Sequence, residues 1–562
     1  MQAEEITIHN FRSIADATIR VSDYGLLIGP NNAGKSNIVD ALRIFYEKER
    51  YDKNRDFPRF TTSDKESWID VEFVLNEEEY GNLKDEYRRP GNTVKVRKYL
   101  QTDEKGEDGK PKQGIYGYIQ DTISNTHFYG ANNVQQGKVG DIIYIPAVST
   151  LEEQTKFSGP GPLRDLLTDI FKKLGTSSKT FAQLKNAFDE FSRNVKTDET
   201  DDGKSLSKLE EDLNADLSAW DASIRFDVNP IEEAQIIKNL ISFTITENQL
   251  DCDLPAAQTG DGFQRNLIYS VIRITARYKT PVKKSKKKEF SPDLVMLLFE
   301  EPESFLHPPQ QRLLWRSLKD IASNEGRQVI ATSHSPYFVS LNADDLPSLG
   351  RVYREAGKTL IGQIGHDTLN TIWEDNQKIN EILEGTNEAA EPLDWRSDME
   401  AVKYFLWLDP DRCGMFFSEH VLLVEGCTEK VVLDYLVNKG EIDTPQGGVF
   451  VLDCLGKYNV HRFMNILGHF QILHSVLIDL DEGKEIHEKI LGLIEGSSNK
   501  FTVKIDSFPE DIESFLGVDK PKRSHRKPQH LMLKIIDGTV ARSKIGDLKK
   551  KTEALFPVLG DG

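Results

Sequence analysis

Gly29-Pro30-Asn31-Asn32-Ala33-Gly34-Lys35-Ser36 fits the pattern G-x-x-x-x-G-K-[ST], and what flanks it decides the fold. The apolar run Tyr24-Gly25-Leu26-Leu27-Ile28 stands before it, and Asn37 to Tyr46 carries apolar residues at helical spacing behind it. The order is strand, glycine-rich turn, helix. Gly29 and Gly34 let the backbone curl until consecutive N–H groups point at phosphate oxygens, while the following helix presents its positive end. In such a loop the backbone of Asn31, Asn32, Ala33 and Gly34 cradles phosphates, Lys35 neutralises the β- and γ-phosphates, and Ser36 ligates Mg²⁺. The expected cofactor is ATP with Mg²⁺.

Further along, Leu294-Val295-Met296-Leu297-Leu298-Phe299 is apolar without a break and runs into Glu300-Glu301-Pro302-Glu303. A strand buried on both faces has this look, and it delivers two carboxylates at its C-terminal edge, where ligands of open α/β sheets sit. We assign Glu300 to the Mg²⁺ shell and Glu301 to activation of the attacking water. A second apolar strand, Gln328-Val329-Ile330-Ala331-Thr332, ends at Ser333-His334-Ser335-Pro336 and places His334 toward the γ-phosphate. Between these halves, Gly260-Asp261-Gly262-Phe263-Gln264-Arg265 precedes the helical run Leu267 to Tyr278.

A chain of 562 residues, 38% hydrophobic and 29% charged, exceeds what one core usually organises, so two or three domains are expected. No stretch approaches the roughly eighteen apolar residues of a membrane span, and the first residues show no leader pattern. The cysteines Cys252, Cys413, Cys427 and Cys454 share no C-x-x-C spacing. These features point to a cytoplasmic chain without a membrane partner, a disulfide framework or structural zinc. A net charge of -19 runs against general affinity for nucleic acid, yet distribution matters more than the sum. Basic residues cluster at Lys283, Lys284 and Lys286 to Lys288, from Lys520 to Lys527, and at Lys549 to Lys551. Alone, each cluster reads as a solvated loop or helix face, and only a neighbouring catalytic site gives it weight.

Alternating patterns at Ile6 to Ile8, Ala17 to Val21, Trp68 to Leu75 and Val94 to Leu100 predict a sheet-rich lobe, with Thr102 to Lys112 as a hairpin tip. The period turns helical from Leu163 to Leu217, broken by the polar turn Lys196 to Lys204, and the β pattern returns at Ile224 to Val228 and Ile241 to Thr246. From Glu419 onward strands and helices alternate, which predicts a small α/β domain with a mainly parallel sheet.

That last domain holds a second acidic constellation. Val421-Leu422-Leu423-Val424 is an apolar strand ending in Glu425-Gly426, and Glu429 begins a helix. Gly426 permits a tight turn with close approach of a phosphate. His474-Ser475-Val476-Leu477-Ile478-Asp479-Leu480-Asp481 is another strand whose D-x-D spacing points both aspartates to one side. Four converging carboxylates repel one another unless divalent cations are present, and hard Mg²⁺ or Mn²⁺ is their natural partner. One or two such ions suit phosphodiester cleavage.

Asn10-Phe11-Arg12, the glycine-rich loop, Gly260-Asp261-Gly262, Glu300 to Glu303 and Thr332-Ser333-His334-Ser335 resemble the SMC/RecF-like branch of ABC ATPases, scattered over residues 1 to 340. That resemblance implies a homodimer in which the Gly260 and Gly262 turn contacts ATP held by the opposite subunit. Two departures stand out. Glu300 occupies a place where many relatives have Asp, and Ala256-Ala257-Gln258-Thr259 replaces the usual Ser-Gly-Gly. They leave the hydrolysis rate open, and no Q-loop glutamine is identified.

The second constellation resembles the Toprim fold of topoisomerases, primases and OLD (overcoming lysogenization defect) nucleases. Leu408-Asp409-Pro410-Asp411-Arg412 with Phe416-Phe417 looks like the ATPase-to-Toprim junction of OLD proteins, and Asp511-Ile512-Glu513 resembles their later acidic motif, which implies Glu513 as a metal ligand. OLD enzymes also use a C-terminal lysine, for which Lys534 is chosen with Lys544 behind it. The implied fold is α/β: an ABC/SMC-like P-loop ATPase with a helical dimerisation insertion, followed by a C-terminal Toprim domain. Its expected parts are residues 1–160 and 223–365 as the two ATPase halves, 161–222 as the insertion, 366–415 as a connector and 416–562 as the Toprim nuclease domain.

The implied activity is an ATP-binding, divalent-metal-dependent DNA endonuclease or nickase, with catalytic residues Glu301, His334, Glu425, Glu429, Asp479, Asp481 and Lys534. Two ions are expected at the Toprim site, held by Glu425, Glu429, Asp479, Asp481 and Glu513. As in the similar Gabija-type nucleases, the resemblance implies antiphage defence and leaves room for higher homo-oligomers and an accessory defence protein. Two other readings stay open: a Toprim ribonuclease toxin cleaving RNA or tRNA, and a RecF-like DNA-binding clamp whose Toprim domain is structural.

Overall fold

The computed structural model describes residues 1–106, 109–147, 179–217, 222–226, 244–247, 252–254, 259–278, 290–304, 306–339, 343–384, 396–480 and 485–557. It forms two compact units, one made of Met1–Ala147 with Lys284–Gly562 and the other of Val148–Lys283. In chain order the strands are Gln2–Phe11 (β1), Ile14–Arg20 (β2), Tyr24–Ile28 (β3), Ser67–Val74 (β4), Thr93–Gln101 (β5), Gly114–Ile119 (β6), Thr122–His127 (β7), Asp141–Ile145 (β8), Ile245–Glu247 (β9), Cys252–Leu254 (β10), Val295–Glu300 (β11), Arg327–Ser333 (β12), Leu349–Glu355 (β13), Lys358–Gln363 (β14), His420–Val424 (β15), Phe450–Asp453 (β16), Leu473–Asp479 (β17) and Thr502–Phe508 (β18).

Among the described residues, the first unit contains three sheets. An antiparallel sheet runs β2-β1-β4-β5-β6-β7. A second runs β14-β13-β3-β12-β11-β8, parallel except for the edge hairpin β13–β14. A third, entirely parallel, runs β16-β15-β17-β18. β3 and β15 are buried at every residue, and β11 at all but Glu300, which is why their sequences lack alternation. The helix Lys35–Phe45 turns Ile38, Val39, Ala41, Leu42, Ile44 and Phe45 into the core formed with Ile6 and Ile8 of β1. A separate core joins Leu422 and Val424 to Val432, Leu433, Leu477, Ile512 and Leu531 in the C-terminal sheet layer.

The connector expected at 366–415 contains the helices His366–Leu383 and Ser397–Trp407. β7, β13 and β14 lie where the sequence pattern predicts no strand, while β16 and β18 are unnamed members of the alternation expected from Glu419 onward.

The second unit contains the helices Lys179–Asn194 and Leu206–Leu217, the hairpin β9–β10 and the helix Asp261–Tyr278. Its extent is wider at both ends than the insertion expected at 161–222. Residues 222–226 carry no strand, so the β reading of Ile224 to Val228 fails there; 227 and 228 lie outside the described residues. That segment is held instead by side chains, with Asn214 Oδ1 accepting from the Ile224 N–H and its amide donating to the Ile224 carbonyl. Gly260 and Gly262 sit at the N-terminus of the helix Asp261–Tyr278.

Candidate functional site: a nucleotide loop and a carboxylate cluster

The parallel order of β3, β11 and β12 carries the P-loop, Glu300 and His334 to one edge of the sheet. Gly34 has φ +109° and caps the helix Lys35–Phe45. A Cβ at Gly29 would stand 2.0 Å from the Val352 carbonyl oxygen, and one at Gly34 2.2 Å from Thr359 Oγ1, so both glycines are sterically required. Lys35 Nζ donates to the Gly29 and Pro30 carbonyls at 2.9 Å each. Burial lowers this ammonium to about 8 even though Glu301 and Glu303 attract its charge. Asn31, Asn32 and Ser36 are exposed, open to a nucleotide, while Ala33 is buried.

Across the edge, Glu300 accepts from the Tyr144 hydroxyl at 2.6 Å. Glu301 turns out of the strand at φ +43°, with its N–H bonded to Thr332. His334 Nε2 stands 3.4 Å from Glu301 Oε1, and the His334 N–H donates to Glu303 Oε1 at 2.6 Å. Burial and then Lys35 keep the imidazole below its usual range, in the neutral form that can donate one bond and accept another. Glu303, whose acidity burial weakens, and Tyr144 are given no role by the sequence; Glu303 meets the His334 N–H that follows β12, and Tyr144 meets Glu300 from β8.

The second site lies at the corresponding edge of the β16-β15-β17-β18 sheet, since β15 ends before Glu425 and its parallel neighbour β17 ends on Asp479. Glu429, in the first turn of the helix Cys427–Asn438, reaches back to accept from the Gly426 N–H at 3.0 Å. Burial first, then Glu425 and Glu513, pushes Glu429 up to about 7. Asp479 rises to about 9 through burial and the charges of Glu429, Glu425 and Asp511. Glu513 is 1% exposed, and its Oε1, like Asp479 Oδ1, is a buried oxygen with no hydrogen-bond partner among the described residues. Crowded, dehydrated carboxylates with unused lone pairs are the donor set of a hard divalent cation. Among the described residues no three such side chains already stand at metal-holding distances, and Asp481 lies outside the described residues.

Lysines complete the cluster, but not the one expected. Lys457 Nζ is 3.8 Å from Glu425 Oε2 and 2.8 Å from His487 Nδ1, and it partly offsets the repulsion on Asp479. Lys527 Nζ is 3.6 Å from Glu513 Oε1, and Lys520 Nζ 2.5 Å from Asp511 Oδ2. Lys534, on the same helix as Lys527, lies near Asp537 and makes no ion pair with these carboxylates among the described residues. Gly456-Lys457 behind the apolar Phe450-Val451-Leu452 repeats the strand, turn, lysine order of the P-loop, a signal that could have located Lys457.

The family model described as AAA ATPase domain matches residues 1–157 and 95–339. The model described as overcoming lysogenization defect protein-like, TOPRIM domain, matches residues 416–481. The chain belongs to the AAA ATPase domain family and carries an OLD-like TOPRIM domain. Over 94% of this chain and 85% of the relative, it is 24% identical to Endonuclease GajA of Bacillus cereus (strain VD045). It is also 24% identical to the Old nuclease of Escherichia phage P2, over 98% of this chain and 93% of that protein. Among solved structures, the SMC head domain from Thermotoga maritima covers 65% of this chain and 100% of its own at 12% identity and a TM-score of 0.31. ATPase and TOPRIM domains are of the kinds that use nucleotide and divalent metal. No helix among the described residues is long and apolar enough to cross a membrane.

Proposed function

We propose that this chain is an ATP-regulated, divalent-metal-dependent DNA endonuclease or nickase in which the ATPase gates the TOPRIM site, acting in antiphage defence. The observation that carries the reading is the grouping of Glu425, Glu429 and Asp479 at one sheet edge, with the acidity of Glu429 and Asp479 suppressed by burial and mutual repulsion. Alignment with proteins named endonuclease and nuclease over nearly the whole chain supports it. Glu425, Glu429, Asp479, Asp481 and Glu513 would hold the metal. Bound there, one or two Mg²⁺ or Mn²⁺ ions supply the charge that activates water and stabilises the leaving oxygen. Lys457 and Lys527 are placed to meet a phosphate as the carboxylates turn to the metal. Exposed Lys522, Arg523 and Arg526 extend that positive ground beside the site, which gives the 520 to 527 cluster the weight it lacked alone.

At the other site Lys35, Ser36 and Glu300 would hold ATP and its Mg²⁺, Glu301 would activate the attacking water, and His334 would contact the γ-phosphate. The Gly260 and Gly262 turn would complete the nucleotide site of a second copy in a homodimer.

Supercoiled plasmid and total RNA, each incubated with the protein with and without Mg²⁺ and ATP, test the reading. Mg²⁺-dependent conversion of plasmid to nicked or linear form is expected, at a rate that ATP changes. Cleavage of RNA alone would replace it with the ribonuclease reading, and binding without cleavage with the clamp reading.

A further inference from the structure

Arg351 of β13 joins the strand that leads into the P-loop to the far ends of the strands that carry the carboxylates, through different parts of one residue. Its backbone is the parallel register partner of Ile28, the residue before the P-loop, and the next carbonyl, that of Val352, abuts Gly29. Its guanidinium donates to the Gln471 carbonyl at 2.9 Å and to the Ser418 carbonyl at 2.9 Å. These two acceptors lie at matching heights. Each is two residues ahead of a strand residue, and those residues, His420 of β15 and Leu473 of β17, are register partners. One planar cation therefore clamps the entrances of the two strands that lead to Glu425 and Asp479.

The arrangement is costly as a packing device. Arg351 is 2% exposed, its Nε has no hydrogen-bond partner among the described residues, and burial lowers the guanidinium to about 10 despite Tyr353 and Glu419 nearby. A buried cation without a paired carboxylate is retained over an apolar side chain only where its directional bonds are needed. Neighbours reinforce the same junction. The Tyr353 hydroxyl bonds Gln471 Oε1, and at Gly362 of β14 a Cβ would stand 2.5 Å from the Phe470 carbonyl oxygen. β14 also grips the P-loop, because the Thr359 hydroxyl donates to the Ala33 carbonyl at 2.8 Å.

We infer that Arg351 is a positioning residue that conveys the state of the P-loop to the entrances of β15 and β17, and so sets the relative placement of Glu425 and Asp479. Strands rise about 3.3 Å per residue, so a displacement at Ser418 or Gln471 is delivered about 20–25 Å away along stiff, fully hydrogen-bonded elements. For its effect on cutting, this inference rests on the nuclease reading.

Hydrogen exchange of the full chain tests it without relying on cleavage, reading peptides over 418–424 and 471–479 with and without a non-hydrolysable ATP analogue and Mg²⁺. In the wild type the analogue is expected to change protection in both segments. In Arg351→Met the change is expected to fall at least several-fold while fluorescent-nucleotide affinity stays within about threefold, and Arg351→Lys should restore part of it. If Arg351→Met does not fold, Tyr353→Phe carries the test, weakening the response at 471–479 more than at 418–424. Plasmid cleavage in parallel should lose its dependence on nucleotide, the rates with and without ATP becoming equal. A response in the mildest folded variant equal to that of the wild type, or no response in the wild type, would overturn the inference. A wild type that responds in exchange but cuts no nucleic acid would instead remove the nuclease reading and leave the coupling in place.

Discussion

His334 Nε2 lies 3.4 Å from Glu301 Oε1, across the ends of two parallel strands, although 33 positions separate them in the chain. The histidine is kept neutral by burial and by Lys35, and Glu301 is turned toward it by a left-handed backbone at φ +43°. Such a residue is held in a costly conformation to aim its side chain.

Glu301→Gln should therefore leave ATP binding intact and slow hydrolysis by about 10²- to 10⁴-fold, the usual scale for loss of a general base. Steady-state phosphate release together with nucleotide affinity checks it; a variant that hydrolyses at the wild-type rate would remove Glu301 from the mechanism.

Lys35→Ala should weaken ATP binding on the order of 100-fold or more, since charge-assisted bonds to phosphate contribute about 1.5–3 kcal/mol each. Calorimetric titration with ATP and Mg²⁺ measures this, and unchanged affinity would contradict the P-loop assignment.

Gly29→Ala is a test of sterics. Its Cβ would meet the Val352 carbonyl at 2.0 Å in a backbone at φ +140°, so a loss of about 3 kcal/mol or more is expected from combined strain and overpacking. Thermal unfolding compared with Gly81→Ala, where nothing lies within 4 Å of the added atom, separates this from a general glycine effect.

The TOPRIM carboxylates make a prediction about pH. Glu429 and Asp479 have folded values raised to about 7 and about 9. Without metal, the stability they contribute is present below about pH 4, where the unfolded groups are also protonated, and is lost as pH rises through 7 and then 9. A divalent cation replaces those protons, so the rise in unfolding temperature on adding Mg²⁺ should be larger at pH 9 than at pH 6. Scanning fluorimetry across that range with Mg²⁺ or EDTA checks it. An equal effect at both pH values would argue against metal at these residues, and Glu425→Gln should diminish the difference.

Much of the site was legible because its residues sit where local rules act. Lys35 and Ser36 follow a loop that needs Gly29 and Gly34, and Glu300 and Glu425 each close an uninterrupted apolar strand. Partners supplied from elsewhere were not legible. Tyr144 reaches Glu300 from a strand 156 positions away, and nothing in its own neighbourhood marks it. Lys527 and Lys534 stand seven residues apart on nearly the same face of one helix, so only their separation along its axis, about 10 Å, sets Lys527 beside Glu513 and leaves Lys534 near Asp537. Strands β13 and β14 escaped notice because Leu349 to Gln363 mixes charge and glycine without a clear period.

By itself, then, the sequence determined a nucleotide loop, two acidic strand ends and their order along the chain, because hydrophobic periodicity and glycine stereochemistry act over a few residues. Tertiary structure alone decided which distant groups share a sheet edge, how far burial moves Glu429 and Asp479 from ordinary carboxylates, and that Arg351 bonds the Ser418 and Gln471 carbonyls at the entrances of β15 and β17. Those properties depend on distance and dehydration in space, and parallel sheets bring together strands whose separation along the chain carries no trace of it.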